Sequence, residues 1–275
     1  MLEKFVFENH LGQRFEGLPN GVYLNYNDLR DYSWSYDSIN NRISRFYRSM
    51  KNRKLPLVVK CNSDEKAVEI KNRLYELAEA DIEAKIPGKI FVGDYYTNGY
   101  ITGSTKSNYL ITKQLCYIEL TLTSDDPAWY REQMHPFTID SGGSSVIGGT
   151  DYPYDFKYDY ALPMNGRKIV CDSVGKNAFK LLIYGEVTDP AIVISGHTYA
   201  IKGTVGVGES LLIDGVNKTI TLTTSTGRKV NWFDKRSRES YIFEPIPAGQ
   251  NPVSWLGTFG FELTVVEKRS EPKWT

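Results

Sequence analysis

The sequence of 275 residues, 41% apolar and 24% charged, is long enough for one large or two ordinary domains, each with its own core. Its 33 basic side chains balance 33 acidic ones, so no general field draws it to nucleic acid or to an anionic membrane. Three widely separated cysteines (Cys61, Cys116 and Cys171), with no Cys-x-x-Cys among them, indicate neither a disulfide framework nor a zinc site.

In chain order, Phe5 and Phe7 alternate with polar neighbours and read as a strand, which His10-Leu11-Gly12 turns. Glu3, Lys4 and Glu8 interrupt the first apolar run, so no signal peptide is expected. No apolar run approaches the roughly 20 residues that span a bilayer. The expectation is a chain made and kept in a cytoplasm unless lysis releases it. Leu55–Lys60 reads as a short strand. A helix over about 63–81 follows, with Asn62 as its cap and Glu65 completing a capping box. Ala67, Ile70, Leu74, Leu77 and Ala78 form its apolar stripe, and Pro87-Gly88 stops it. Strands are predicted again at Lys89–Val92, Tyr100–Thr102 and 115–123.

A Ser/Gly-rich run at 141–149 places a domain boundary near residue 135. Beyond it, helical periodicity gives way to short strands separated by turns. They are expected at 168–171, 181–184, 191–194, 199–202, 211–213, 219–223, 241–244, 253–255 and 261–266, the pattern of a β-sandwich of jelly-roll type. Asp214-Gly215 supplies the turn of the clearest hairpin. The segment 151-DYPYDFKYDY-160 sets five aromatic rings on alternate positions, hence on one face of a strand. Three uses compete for that face: a buried sandwich core, a protein contact, or stacking on sugars. Tyr152, Tyr154 and Trp255 are the candidate partner or glycan contacts.

Reaction chemistry finds little support. The three histidines (His10, His135, His197) lack a second ligand at metal spacing and read as polar turn residues. The run 203-GTVGVGES-210 lacks the Lys-Ser/Thr of a phosphate loop and a helix to follow it, and there is no Gly-x-Ser-x-Gly elbow. Asp151, Asp155 and Asp159 share one strand face, so a glycosidase pair stays open beside the simpler reading of a solvated face. Between Arg42 and Lys54 lie six basic residues and no acid. Arg42, Arg45, Arg48 and Lys51 are three apart, which locally fits a helix on a solvated or subunit-contacting arm. No catalytic, metal-binding or cofactor-binding residue is expected.

Taken in order, five stretches resemble the distal tail proteins of long-tailed, non-contractile bacteriophages and related prophages. They are 32-YSWSYDSINNRISRF-46, 72-NRLYELAEADI-82 with 89-KIFVGDYY-96, 118-IELTLTSDDPAWYRE-132, the aromatic strand, and 245-PIPAGQNPVSWLGTFGFELTVVEKRSEPKW-274. The resemblance covers nearly the whole chain. It implies a mainly β protein and not an enzyme: an N-terminal β-sandwich (1–135) with one α-helix and a hairpin arm at about 26–53, then a C-terminal β-sandwich (136–275) similar to galectins and carbohydrate-binding modules. It further implies a structural hub of the virion tail tip, assembled in the bacterial host cytoplasm as a hexameric homo-oligomer. The implied partners are the tail tube, tape-measure and tail-associated or tail-tip proteins, together with receptor-binding components. The arm residues Tyr32, Trp34, Tyr36, Arg42, Arg45 and Phe46 become the subunit-interface candidates. The family's hairpin and the helical spacing of 42–50 disagree over the arm's conformation. Two other readings are carried beside the hub: a carbohydrate-binding module in host adsorption, and a polysaccharide hydrolase.

Overall fold

The structure is a computed structural model that describes residues 4–107, 113–139 and 167–274. The aromatic segment 151–160, with Tyr152 and Tyr154, lies outside the described residues. The chain is mainly β and divides into two compact units. Unit 1 comprises 1–131 together with 268–275, and unit 2 comprises 132–267.

Unit 1 is built from β1 (Val6–Glu8), β2 (Arg14–Glu16), β3 (Val22–Leu24), β4 (Ser35–Ile39), β5 (Arg42–Tyr47), β6 (Lys51–Lys60), α1 (Asp64–Ala84), β7 (Gly88–Val92), β8 (Tyr95–Ser107), β9 (Leu115–Ser124) and the start of β10 (Trp129–Phe137). Two antiparallel layers share one long strand. Tyr95–Gly99 of β8 pairs with β7, which continues to β1 and β2. From Tyr100 onward β8 pairs instead with β9, which continues to β6 and β3. An irregular register between Ile101 and Gly103 accompanies the change of partner, as a bulge that bends a strand allows.

Helix α1 packs its stripe into the core that these layers enclose: Ala67, Ile70, Leu74, Leu77 and Ala78 are all buried, in one cluster with Phe5, Phe7, Leu57 and Trp129. The cap lies one residue later than the sequence predicts. Ser63, not Asn62, has the extended backbone of an N-cap, and its side chain accepts a hydrogen bond from the Lys66 N–H at 3.2 Å. That puts Lys66 where a capping box needs Glu, so Glu65 acts differently. Hydrogen bonds from its own N–H and from the Ser63 hydroxyl hold its carboxyl below the usual range. Ser63→Ala should therefore destabilise the protein by about 1 kcal/mol, read as a lower urea midpoint with an unchanged slope.

Buried Asp81, near the far end of α1, fastens the helix to the turn after β1. Its Oδ1 lies 2.7 Å from both the backbone N and the Nδ1 of His10. Gly88 is required beside it, because a Cβ there would come within 2.3 Å of Asp81 Oδ2 and 2.6 Å of the Phe7 ring.

Unit 2 contains two antiparallel sheets around a second core. After the remainder of β10, its strands are β11 (Arg167–Cys171), β12 (Ala178–Tyr184), β13 (Val187–Thr188), β14 (Ala191–Ile194), β15 (His197–Ala200), β16 (Thr204–Val205), β17 (Ser210–Asp214), β18 (Thr219–Thr223), β19 (Lys229–Asn231), β20 (Gly249–Trp255) and β21 (Gly260–Arg269), whose last residues belong to unit 1. One sheet runs β19-β18-β17-β12-β21, the other β11-β20-β14-β15, and β13 pairs with β16. Alternate residues point inward, as a sheet with one covered face demands. Phe179, Leu181 and Ile183 of β12 join Phe261, Leu263 and Val265 of β21, with Ile192, Ile194 and Val253 of the other sheet in the same cluster. At the β17–β18 turn the Asp214 carboxylate accepts from the N–H groups of Val216 and Asn217, at 2.8 and 2.9 Å.

The strand expected at Tyr241–Glu244 is not formed. Ile242, Phe243 and Ile246 are buried from an irregular segment whose only bridge joins Ile246 to Asn177. Apolar density there reflects burial by a loop, and not pairing. Residues 268–275, which the sequence reading assigned to the second half, form part of unit 1. Lys268 Nζ lies 2.6 Å from Asp126 Oδ2, and Arg30 donates to the Pro272 carbonyl at 3.1 Å while its guanidinium sits 4.1 Å from the Trp274 ring.

Candidate interaction surface: the hairpin arm

The segment leading to the arm is anchored before it leaves unit 1. Leu29 is buried, Asn25 N–H donates to the Pro56 carbonyl, and Asp28 Oδ1 accepts from the Lys54 N–H. From Tyr32 to Met50 the apolar side chains are exposed. Strands β4 and β5 form a two-stranded antiparallel hairpin, correcting the helical reading of 42–50. Two residues, Asn40 and Asn41, join them with φ of 49° and 60°. Positive φ at both positions is the backbone of a type I′ turn, whose twist suits paired strands and which Asn tolerates.

The register explains the misleading spacing. Tyr36 faces Phe46 and Ser38 faces Ile43, while Asp37 faces Arg45 and Ile39 faces Arg42, so Ser44 is left over as a bulge. The Ser44 hydroxyl donates to the Asp37 carbonyl at 3.1 Å. One extra residue puts Ile43 and Phe46 on one face and Arg42 and Arg45 on the other, although each pair is three apart. That interval otherwise marks a helix.

The two faces differ in chemistry. Tyr36, Ile43 and Phe46 line one, and Trp34 meets Phe46 edge-on with ring centroids 6.5 Å apart. The other carries Asp37, Arg42, Arg45 and Ile39, with exposed Tyr47 5.7 Å from the Arg45 guanidinium at its root end. Phe46 and Tyr36 are each 59% exposed, so the rings lie open and not against their own unit. At the root, Arg48 stacks over Trp34 at 4.3 Å and donates to Ser270 Oγ at 3.0 Å, and Ser35 Oγ lies 2.6 Å from Ser49 Oγ. Nearby, Asp126 is a fixed charge. Burial raises its pKa, but hydrogen bonds from Lys268 and Tyr130 outweigh that and leave it below the usual carboxylate range. Burial and the same carboxylate push the Tyr130 phenol well above its usual value.

The structure thus brings all six interface candidates onto one hairpin and its root. Trp255 is placed differently. It is 8% exposed, donates its indole N–H to the Phe259 carbonyl at 3.1 Å, and meets Phe137 and Phe261 edge-on in the core of unit 2. Sequence reasoning passed over Arg53, which is completely buried in β6. A signal existed: Arg53 stands in period-2 register with Leu55, Leu57 and Val59, the inward positions of that strand.

Among the described residues no group of three or more His, Cys, Asp or Glu is arranged to hold a metal, and no helix is long and apolar enough to cross a membrane. The three cysteines are free and buried. His197 Nε2 lies 2.9 Å from the Tyr241 carbonyl, and burial lowers the pKa of His135.

No protein-family model matches the chain, and no curated protein sequence matches it. Solved structures match it in fold. The Dit protein of phage SPP1, described as a paradigm of the hub adsorption apparatus in phages infecting Gram-positive bacteria, aligns over 96% of this chain and 98% of its own, with a TM-score of 0.56 and 11% identity. Two baseplate chains of phage p2 in its activated conformation, one structure with Ca and one with Sr, align over 99% of this chain and 100% of theirs. Both give TM-scores of 0.62, at 14% and 15% identity. The architecture is therefore of the class found in phage hub and baseplate chains. More particularly, the chain has a Dit-like fold along nearly its whole length.

Proposed function

We propose that this chain is a structural hub of a bacteriophage tail tip, a homo-oligomeric ring, hexameric in the simplest case, that joins the tail tube to tail-associated and adsorption proteins. The observation that carries the reading is the hairpin arm, with Trp34, Tyr36 and Phe46 together on one exposed face, on a Dit-like fold. A closed ring needs heterologous contact, in which one patch of each subunit meets a different patch of the next. An arm of exposed rings and unpaired strand edges supplies one such patch, since Tyr, Trp, Phe and Arg are the residues interface cores favour. The arm acts by burying Trp34, Tyr36, Ile43 and Phe46 against a neighbour, while Arg42 and Arg45 face outward to set register. Unit 1, which carries the arm, is the ring-forming domain. The partners are the tail tube, tape-measure and tail-tip proteins, with receptor-binding components, and the site of action is the virion after assembly in the host cytoplasm.

Mass photometry of the purified chain, alone and with its tail-tip neighbours, tests the reading. Six-fold assemblies, or multiples of them, are expected. A chain that stays monomeric at micromolar concentration with those neighbours present overturns it.

A further inference from the structure

Beside the root of the arm lies a small cavity of about 60 Å³, lined by Arg48, Lys51, Arg53, Pro127 and Ser270, with exposed Tyr32 at its rim. Three cationic side chains converge on it. Arg53 is 0% exposed and commits only Nη2, which donates to the Pro127 carbonyl at 2.9 Å. Its Nε and Nη1 are buried and find no acceptor among the described residues, and neither does Arg48 Nε. Arg53 makes no ion pair among the described residues; Asp28 and Asp31 temper its charge only through space. The Trp129 ring, 5.8 Å from the guanidinium carbon, gives a weak cation–π contact. Lys51 donates to the Asp31 carbonyl, and among the described residues no counter-charge is in direct contact with it; the charges of Asp28 and Asp31 act on it only through space. Burial lowers the pKa of Arg53, and burial together with the neighbouring Arg53 lowers that of Lys51.

A buried guanidinium satisfied by one neutral carbonyl is an unusual arrangement. Buried charges are normally paired, and an unpaired one costs several kcal/mol. Nη2 keeps a second hydrogen, and with the uncommitted Nε–H or Nη1–H beside it forms the planar fork that matches two oxygens of an oxyanion. The cavity has room for one such group and little more. We infer that Arg53, Arg48 and Lys51 form a binding site for a single oxyanionic group, a carboxylate or a phosphate-sized head. The Arg53 fork grips the oxyanion, and Arg48 and Lys51 complete its charge at the rim. Two sources offer that chemistry: a free anion, or an Asp or Glu side chain presented by a second copy of this chain.

Inorganic phosphate is the probe for the test. The full chain is melted with and without about 10 mM phosphate, with chloride balancing ionic strength, as wild type, Arg53→Met and Arg48→Met. Phosphate should raise the wild-type Tm by about 2–5 °C, and either substitution should remove most of that shift. Each Met keeps the apolar stem and deletes the fork, and Arg48, being half-exposed, serves if Arg53→Met does not fold. Mass photometry of the same samples separates the sources. A free-anion site shifts Tm and leaves the oligomer distribution of the variants unchanged. A site filled by a neighbour's carboxylate gives a wild-type oligomer that phosphate dissociates and that the variants form at least tenfold more weakly. If phosphate shifts all three proteins equally and their oligomer distributions coincide, the inference is wrong, whether or not the chain forms rings.

Discussion

Replacing Ser35–Tyr47 by a short Gly-Ser connection is expected to leave each subunit folded and to abolish self-association. The excised residues are exposed or half-exposed along both strands, and among the described strands β4 and β5 pair only with each other. Their loss removes little from the core of unit 1, which Leu29 and β6 hold on either side. Surface changes of this kind usually fall within about 0.5 kcal/mol of neutral, so the Tm should stay within roughly 2 °C. Association should behave differently. Truncating a central aromatic at an interface commonly costs 2 kcal/mol or more, about thirtyfold in Kd, and the deletion removes Tyr36 and Phe46 together. Mass photometry and a thermal melt on one preparation read both quantities. An oligomer that survives the deletion would show that the arm is not the subunit contact. The double variant Tyr36→Ala/Phe46→Ala should reproduce most of the loss without shortening the chain.

Phe261→Ala should have the largest effect on stability. The ring is 0% exposed, stacks on Phe137 with centroids 4.5 Å apart and planes 10° apart, and meets Trp255 edge-on at 5.2 Å. Its removal deletes these two contacts and a third with Phe259, whose ring centroid lies 6.1 Å away, and leaves a cavity that rigid sheets close poorly, costing about 3–5 kcal/mol. For a unit of this size that corresponds to a fall in Tm of roughly 10 °C. Phe261→Leu, which keeps much of the volume, should cost less than half as much. Calorimetry of the two variants checks the ratio as well as the magnitude. Equal, small effects would mean that the Phe137–Trp255–Phe261 cluster is not the centre of that core.

Several features were legible because a single local rule dictated them. The helix followed from its apolar stripe, all of which is buried, and most strands of unit 2 followed from alternation between turn residues. Where two rules coincided, the reading went astray. Ser44 inserts one residue into a two-residue period and yields a three-residue interval that mimics a helix. The Asn40-Asn41 pair, well suited to a tight hairpin turn, was the signal that could have decided the matter. Ile242 and Phe243 carry a strand's composition but bury themselves from a loop. Contacts distant in sequence were invisible for a different reason. Nothing local to Lys268 announces a partner 142 positions earlier, and Arg53 reads as one more basic residue until its register with Leu55 is noticed.

The return of the C-terminal residues to unit 1 bears on how that unit can be isolated. A stop codon after Arg131 would strip Asp126 of Lys268, Arg48 of Ser270 and Arg30 of Trp274 at once. A shortened gene product of that kind would misreport the behaviour of the native unit. The clean excision is internal: remove 132–267, splice Arg131 to Lys268 through a flexible bridge, and keep the tail.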